Sequence, residues 1–231
     1  KIYGTKVFVK FIRDFAIIVN FRNLEISTRA AFGEICSTQN IDVFLDVGAN
    51  VGIYSWIARK NKVSKIFMFE PDLFNCRLLL KTLIYNKTNN IFLVPFAVSD
   101  VPGVSDFHPD YSSGATGSLK NHTSNQDSLH HAYGMGEIHS VPTLNLDFLS
   151  EYCNGKNVLI KIDVEGFEGS VLSGSMTLVK QSLPVIIVEC NDAKDLIPLE
   201  NIGYKKKMLA ENNNYLMVHE ANSFLSALSM P

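Results

Sequence analysis

Apolar positions along the chain fall into two regimes. Over residues 1–28, Val7, Val9 and Phe11 alternate with polar neighbours, Arg13 and Asp14 offer a turn, and Ala16 to Phe21 run apolar. That pattern predicts a strand pair, an N-terminal β-hairpin extension. Residues 29 to 38 suit a short helix. From residue 42 the pattern becomes short apolar runs separated by amphipathic stretches. Strands are expected over Asp42–Val47, Lys65–Phe69, Ile91–Val98, Asn157–Ile162 and Pro184–Cys190. Helices are expected over Val51–Lys60, Asp72–Tyr85 and Gly166–Val179. Strands alternating with helices imply a parallel sheet with crossover helices on both faces, a doubly wound α/β fold. Pro184–Cys190 is so apolar that it should be central and buried on both faces. Tyr204–Leu209 and Tyr215–His219, joined through Asn212, Asn213 and Asn214, read as a closing antiparallel hairpin. The whole predicts a seven-stranded sheet, parallel except for its final strand.

One stretch breaks the rhythm. Residues 109 to 140 are rich in Ser, Gly, Asn and His with little apolar period, and a loop that long in a compact domain marks function or disorder. The expected organisation is a strand pair and short helix over 1–40, a ligand-binding domain over 41–220 carrying the insert 109–140, and a tail over 221–231. The tail is apolar at intervals. It could pack on its own core, the preferred reading, or support a homo-oligomer.

Composition narrows the classes. The chain has 231 residues, 46% of them apolar and 19% charged, enough to bury a sizeable core. A net charge of −2 gives no electrostatic case for nucleic acid. No stretch approaches the ~20 apolar residues of a bilayer span. Cys36, Cys76, Cys153 and Cys190 lie at neither metal-ligand nor redox spacing, which points to buried free thiols and a cytoplasmic setting. No signal peptide is visible, although a start at Lys1 leaves room for a removed segment.

Four strand ends carry candidate chemistry. Asp46-Val47-Gly48-Ala49-Asn50-Val51-Gly52 joins a strand to a helix. Gly48 permits the sharp turn and Gly52 close packing, leaving backbone amides free for a ligand, while Asp46 could meet a cationic amino group. The plain alternative is a structural turn. A dinucleotide fingerprint would place glycines at 48, 50 and 53; here those positions are Gly48, Asn50 and Ile53, which argues against a nicotinamide cofactor. Glu70 closes the second strand ~20 residues beyond the glycine turn, where a ribose-binding acid is expected. Pro71 and Asp72 then open a helix, Asp72 favourable in its first turn. Ser99-Asp100 closes the third strand, where an acid can accept from an adenine amino group or simply form a turn. Asp163, Glu165 and Glu168 surround the end of the fourth strand. Glu168 suits the helix dipole, but three acids exceed what a helix start needs and suggest a cationic ligand.

Taken together, DVGANVG, FEPD, AVSD, KIDVEGFEGSVLSG and PVIIVEC resemble the FkbM family of methyltransferases, over about residues 40 to 220. Ile160–Gly174 is the most specific part, Asp46–Gly52 the next, and Pro142–Asp147 also looks like that family's segment before the fourth strand. The resemblance implies the class I, Rossmann-like methyltransferase fold and S-adenosylmethionine as cofactor, leaving S-adenosylhomocysteine as product. It also implies methylation of oxygen on sugars or related natural products, hence a small-molecule or glycan acceptor. By position it assigns Asp46, Gly48, Asn50 and Gly52 to the methionine part, Glu70 to the ribose, Asp100 to the adenine, and Asp163 and Glu165 to the methyl group. Ser99 and Asp72 accompany these.

A sugar hydroxyl is a weak nucleophile, so a base or a metal would help. Asp163 and Glu165 are the candidate bases, beside His108, His122, His130, His131 and His139 around the insert, more ordinarily solvated. His130, His131 and His139 could hold a metal at undiagnostic spacing, and Asp163, Glu189 and Asn191 could hold Mg²⁺; neither is expected. Amine-methylating enzymes often carry Asn/Asp-Pro-Pro-Tyr after the fourth strand. Here Asp163-Val164-Glu165-Gly166 stands there, favouring oxygen. The competing readings are a nicotinamide-dependent oxidoreductase and a non-catalytic cofactor-binding domain, the latter disfavoured by the intact acids at 46, 70, 100, 163 and 165.

Overall fold

The structure, a computed structural model, describes residues 1–10, 14, 19–20, 23–109, 117–119, 138–210 and 213–222. Ten strands and seven α-helices are defined within them: α1 (Ile26–Thr38), β1 (Val43–Val47), α2 (Ile53–Lys60), β2 (Lys65–Phe69), α3 (Leu73–Tyr85), β3 (Ile91–Val94), β4 (Ala97–Val98), β5 (Gly103–Phe107), β6 (His139–Leu144), α4 (Ser150–Cys153), β7 (Val158–Ile162), α5 (Glu168–Ser173), α6 (Met176–Ser182), β8 (Val185–Glu189), α7 (Ile197–Glu200), β9 (Tyr204–Met208) and β10 (Asn214–His219).

Seven strands form the main sheet in the order β3-β2-β1-β7-β8-β10-β9. Neighbours from β3 to β8 are parallel, and β10 is antiparallel to both β8 and β9. The sheet is therefore the expected one, parallel except for its last strand. β1 and β7 are buried at every position and β8 at all but Glu189, as befits strands covered on both faces. One core layer gathers Phe32, Phe44, Trp56 and Ile66. The other gathers Leu45, Phe69, Ile160 and Val188. The order reverses between β1 and β7, and in an open α/β sheet the crevice at that point is where ligands bind. The outer strand β9 carries Lys205, Lys206 and Lys207, charges that discourage pairing with a further chain.

The structure corrects several expectations. Residues 6–10, read as the first strand of an N-terminal pair, form no ladder. Lys6 N–H donates to Asn86 Oδ1 (3.1 Å) and Phe8 N–H to Thr82 Oγ1 (3.0 Å), so the segment runs along α3, and Ile2 and Thr5 form an isolated bridge before it. Residues 19–20 are helical, and the rest of the second predicted strand lies outside the described residues. The turn at Asp14 is present, with Lys10 N–H donating to Asp14 Oδ2 (2.6 Å). The predicted strand 91–98 divides: β3 stays in the main sheet, while β4 joins β6 and β5 in a second, three-stranded sheet. The predicted helix 166–179 divides as well. Its break at Gly174-Ser175 is held by Asp147 N–H donating to the Gly174 carbonyl (3.0 Å) and Ser175 Oγ to the Leu172 carbonyl (2.8 Å). All four cysteines are free and buried, and no helix among the described residues is long and apolar enough to cross a membrane.

Candidate functional site

A pocket of about 260 Å³ opens at the carboxyl ends of β1, β2, β4, β7 and β8. The glycine turn forms its floor. Gly48 and Ala49 N–H both donate to the Phe69 carbonyl (3.0 Å each), tying the turn to β2. Gly48 has φ +80°, and a Cβ there would sit 1.8 Å from the Asp163 carbonyl oxygen, so only glycine lets the β1 turn meet the end of β7. Gly52 lies behind that turn: its φ is +81°, and a Cβ would meet Met68 Cε at 2.6 Å and the Trp56 ring at 2.9 Å.

Glu70 is 5% exposed. Its two carboxylate oxygens accept from Asn50 N–H (2.6 Å) and Asp72 N–H (2.9 Å). Burial pushes its pKa up to about 7 against those two amides. A carboxylate accepting two hydrogen bonds retains lone pairs for a diol. Asn50 sits at φ 51°, with its side-chain Oδ1 buried and lacking a hydrogen-bond partner. An enclosed acceptor without a donor is costly until something fills the role. Asp72 lines the pocket but is the N-cap of α3 rather than part of its first turn, accepting from Phe74 N–H (2.7 Å) and Asn75 N–H (3.3 Å). Phe69, Pro71, Phe96, Ala97, Val98 and Phe167 give the cavity apolar walls.

Four predicted residues stand off the wall. Asp46 is 2% exposed and turned into the core, accepting from Ser55 N–H (3.2 Å) and Ser55 Oγ (2.5 Å); burial pushes it up to about 7 against those bonds and Lys161. Gly52 packs against Trp56. Ser99 Oγ donates to Asp100 Oδ1 (2.9 Å), and Asp100 is exposed outside the cavity. Phe96, Ala97 and Val98 line the pocket where that pair was expected.

At the end of β7, Asp163 and Glu165 both line the cavity. Lys161, 1% exposed, sits opposite Asp46 in register and forms an ion pair with Asp163 at 3.4 Å. Burial opposes its charge, but Asp163, Glu25 and Glu189 together outweigh it and hold its pKa above the ordinary value. Glu168 is buried and accepts from Gly166 N–H (2.7 Å), the local role expected of it. Of the insert, residues 117–119 return over the pocket: Ser118 Oγ donates to the Glu165 carbonyl (2.7 Å), and Glu165 has φ 48°.

Glu25 is the residue sequence reasoning missed. It precedes α1 at φ 43° and lines the pocket with Leu24. Carboxylate oxygens of Glu25, Asp163 and Glu189 all lie within 4.8 Å of one another. Asn191, named with Asp163 and Glu189 as a possible Mg²⁺ set, is elsewhere, its Oδ1 accepting from Asn213 Nδ2 (3.1 Å). His108 bridges Ser118 and His139 begins β6, and neither lines the cavity; His122, His130 and His131 lie outside the described residues.

Comparison with known proteins bears on the family and the fold. A family model described as the methyltransferase FkbM domain matches residues 46–219. Among solved structures, an FkbM methyltransferase from Methylobacillus flagellatus superposes with a TM-score of 0.53 at 18% identity, covering 78% of this chain and 44% of that one. The chain thus spans less than half the length of that relative. A protein from Corynebacterium glutamicum superposes with a TM-score of 0.52 at 8% identity, covering 93% and 92%. At these identities the likeness speaks for the fold. No curated protein matches.

Proposed function

Because the chain belongs to the FkbM methyltransferase domain family, we propose that it transfers a methyl group from S-adenosylmethionine to a hydroxyl oxygen of a sugar, free, in a glycan or nucleotide-linked, or of a related natural product. The observation that carries this reading is one pocket in which the Gly48 turn, the Glu70 carboxylate and the Asp163 strand end converge. The residues present fit the cofactor. Glu70 would accept from the two ribose hydroxyls, Asn50 Oδ1 supplies an enclosed acceptor in need of a donor, and the apolar wall of Phe96, Ala97 and Val98 suits a flat base. Gly48 and Asp163 would flank the methionine end.

Bound S-adenosylmethionine supplies a methyl carbon made electrophilic by positive sulfur. The protein's part is to hold the acceptor oxygen in line with that carbon, exclude water and remove a proton, and alignment alone can lower a barrier by several kcal/mol. Carboxylates ring the end of β7, while the Asn/Asp-Pro-Pro-Tyr element of many amine methylators is absent from residues 163–166; both favour oxygen. The test is methyl transfer from isotope-labelled S-adenosylmethionine to a panel of neutral sugars, nucleotide-linked sugars and amines. Label recovered as a methyl ether supports the reading. Label on nitrogen overturns it.

A further inference from the structure

The carboxylates of Glu25, Asp163 and Glu189 meet in the pocket at the ends of β7 and β8, with one ammonium, that of Lys161, among them. Asp163 holds it, 3.4 Å from Lys161 Nζ. Glu25 and Glu189 are instead bridged by one neutral amide: Asn214 Nδ2 lies 3.5 Å from Glu25 Oε1 and 3.4 Å from Glu189 Oε2. Three elements converge here, the segment before α1, the end of β8 and the start of β10. Asp46 from β1 and the Tyr54 hydroxyl from α2 face the same cluster, with Glu165 beyond Glu189. Two like charges at this separation in a half-buried site resist ionising together. Burial raises the pKa of Glu25, with Asp163 adding to it and Lys161 opposing, and burial with Asp163 raises Glu189 to about 8.

We infer that Glu25 and Glu189 form a carboxyl–carboxylate pair that keeps one proton in the ligand-free pocket, gives it up when the positive donor enters, and takes the proton of the acceptor hydroxyl as that positive charge disappears. This rests on the methyl-transfer reading. In the transfer step the acceptor oxygen forms a bond to the methyl carbon, the carbon–sulfur bond breaks and leaves its electron pair on sulfur, and the hydroxyl proton passes to the pair. Sulfur loses its positive charge as the pair loses one negative charge, so the net charge of the pocket stays constant through the cycle. That constancy is what a partly desolvated site needs, because uncompensated charge there is expensive. Asp163 is engaged by Lys161 and serves to position the ammonium. Glu25 lies outside residues 46–219, so the N-terminal segment supplies half of the pair to the family domain.

The experiment is side-chain carboxyl NMR on protein carrying ¹³Cδ-labelled glutamate, titrated from about pH 4 to about pH 10, in wild type, Glu25→Gln and Glu189→Gln, without and with S-adenosylmethionine. In the ligand-free wild type, the two resonances should titrate together in two steps, the upper near neutral pH or above. Either substitution should leave the remaining partner with a single step lowered by about one pH unit or more. Saturating S-adenosylmethionine should move the upper step down, with release of about one proton per ligand bound below that step. Independent titrations in the ordinary carboxylate range, or a partner unmoved by substitution of the other, overturn the pair. Binding without displacement of the upper step overturns its coupling to the donor. Should S-adenosylmethionine fail to bind, the methyl-transfer reading falls, while the ligand-free titration still decides whether the proton is shared.

Discussion

Among the described glycines, Gly48 carries the tightest steric demand. An added Cβ meets a backbone carbonyl rather than a movable side chain, and φ is +80°. Gly48→Ala should cost about 3 kcal/mol or more, seen as a fall in Tm, because the β1 turn and the β7 end must separate. A second prediction concerns Asp46, pushed up to about 7 mainly by burial. A carboxyl raised on folding contributes stability below its unfolded pKa and loses it as pH rises through the folded value. Asp46→Asn keeps an acceptor for Ser55 and has no charge to desolvate. Its Tm relative to wild type should therefore rise between about pH 4 and about pH 7 and level off above. A difference independent of pH would contradict this. Glycine turns and strand-end acids were legible because their chemistry is local, and Gly48 and Glu70 sit where their spacing implied. Asp46 was placed on the correct strand but faces Ser55 and the core, because orientation depends on which side of β1 the ligand occupies. Glu25 was illegible: its partners Asp163 and Glu189 come from distant strands, and nothing adjacent marks it.

At the scale of elements, the connection between the second sheet and α6 depends on Asp147. Its N–H holds the Gly174 carbonyl and its Oδ1 accepts from Leu178 N–H (2.9 Å), capping α6 from another segment. Asp147→Ala should cost about 1 kcal/mol, readable by chemical denaturation, with little effect on cofactor affinity because the residue is off the pocket wall. Most central strands and helices could be read from apolar period. β4, β5 and β6 could not be assembled in advance, because the short, partly exposed β5 pairs with a strand beyond the insert, and pairing partners carry no local signal. Residues 6–10 alternate like a strand, yet their amides are met by α3 side chains, an arrangement that alternation cannot distinguish from a ladder.

For the molecule as a whole, sheet order places the crevice between β1 and β7, and the same reversal brings Gly48, Glu70 and Asp163 to one cavity. This cavity is proposed to hold S-adenosylmethionine. Isothermal titration of the folded protein with S-adenosylmethionine and with NAD⁺, alongside Glu70→Ala, tests it directly. Saturable binding of S-adenosylmethionine is expected, with none of NAD⁺ and at least about tenfold weaker affinity in Glu70→Ala, the loss that charge-assisted hydrogen bonds to a diol imply. Binding of NAD⁺ alone, or of neither ligand by a well-folded sample, would contradict it.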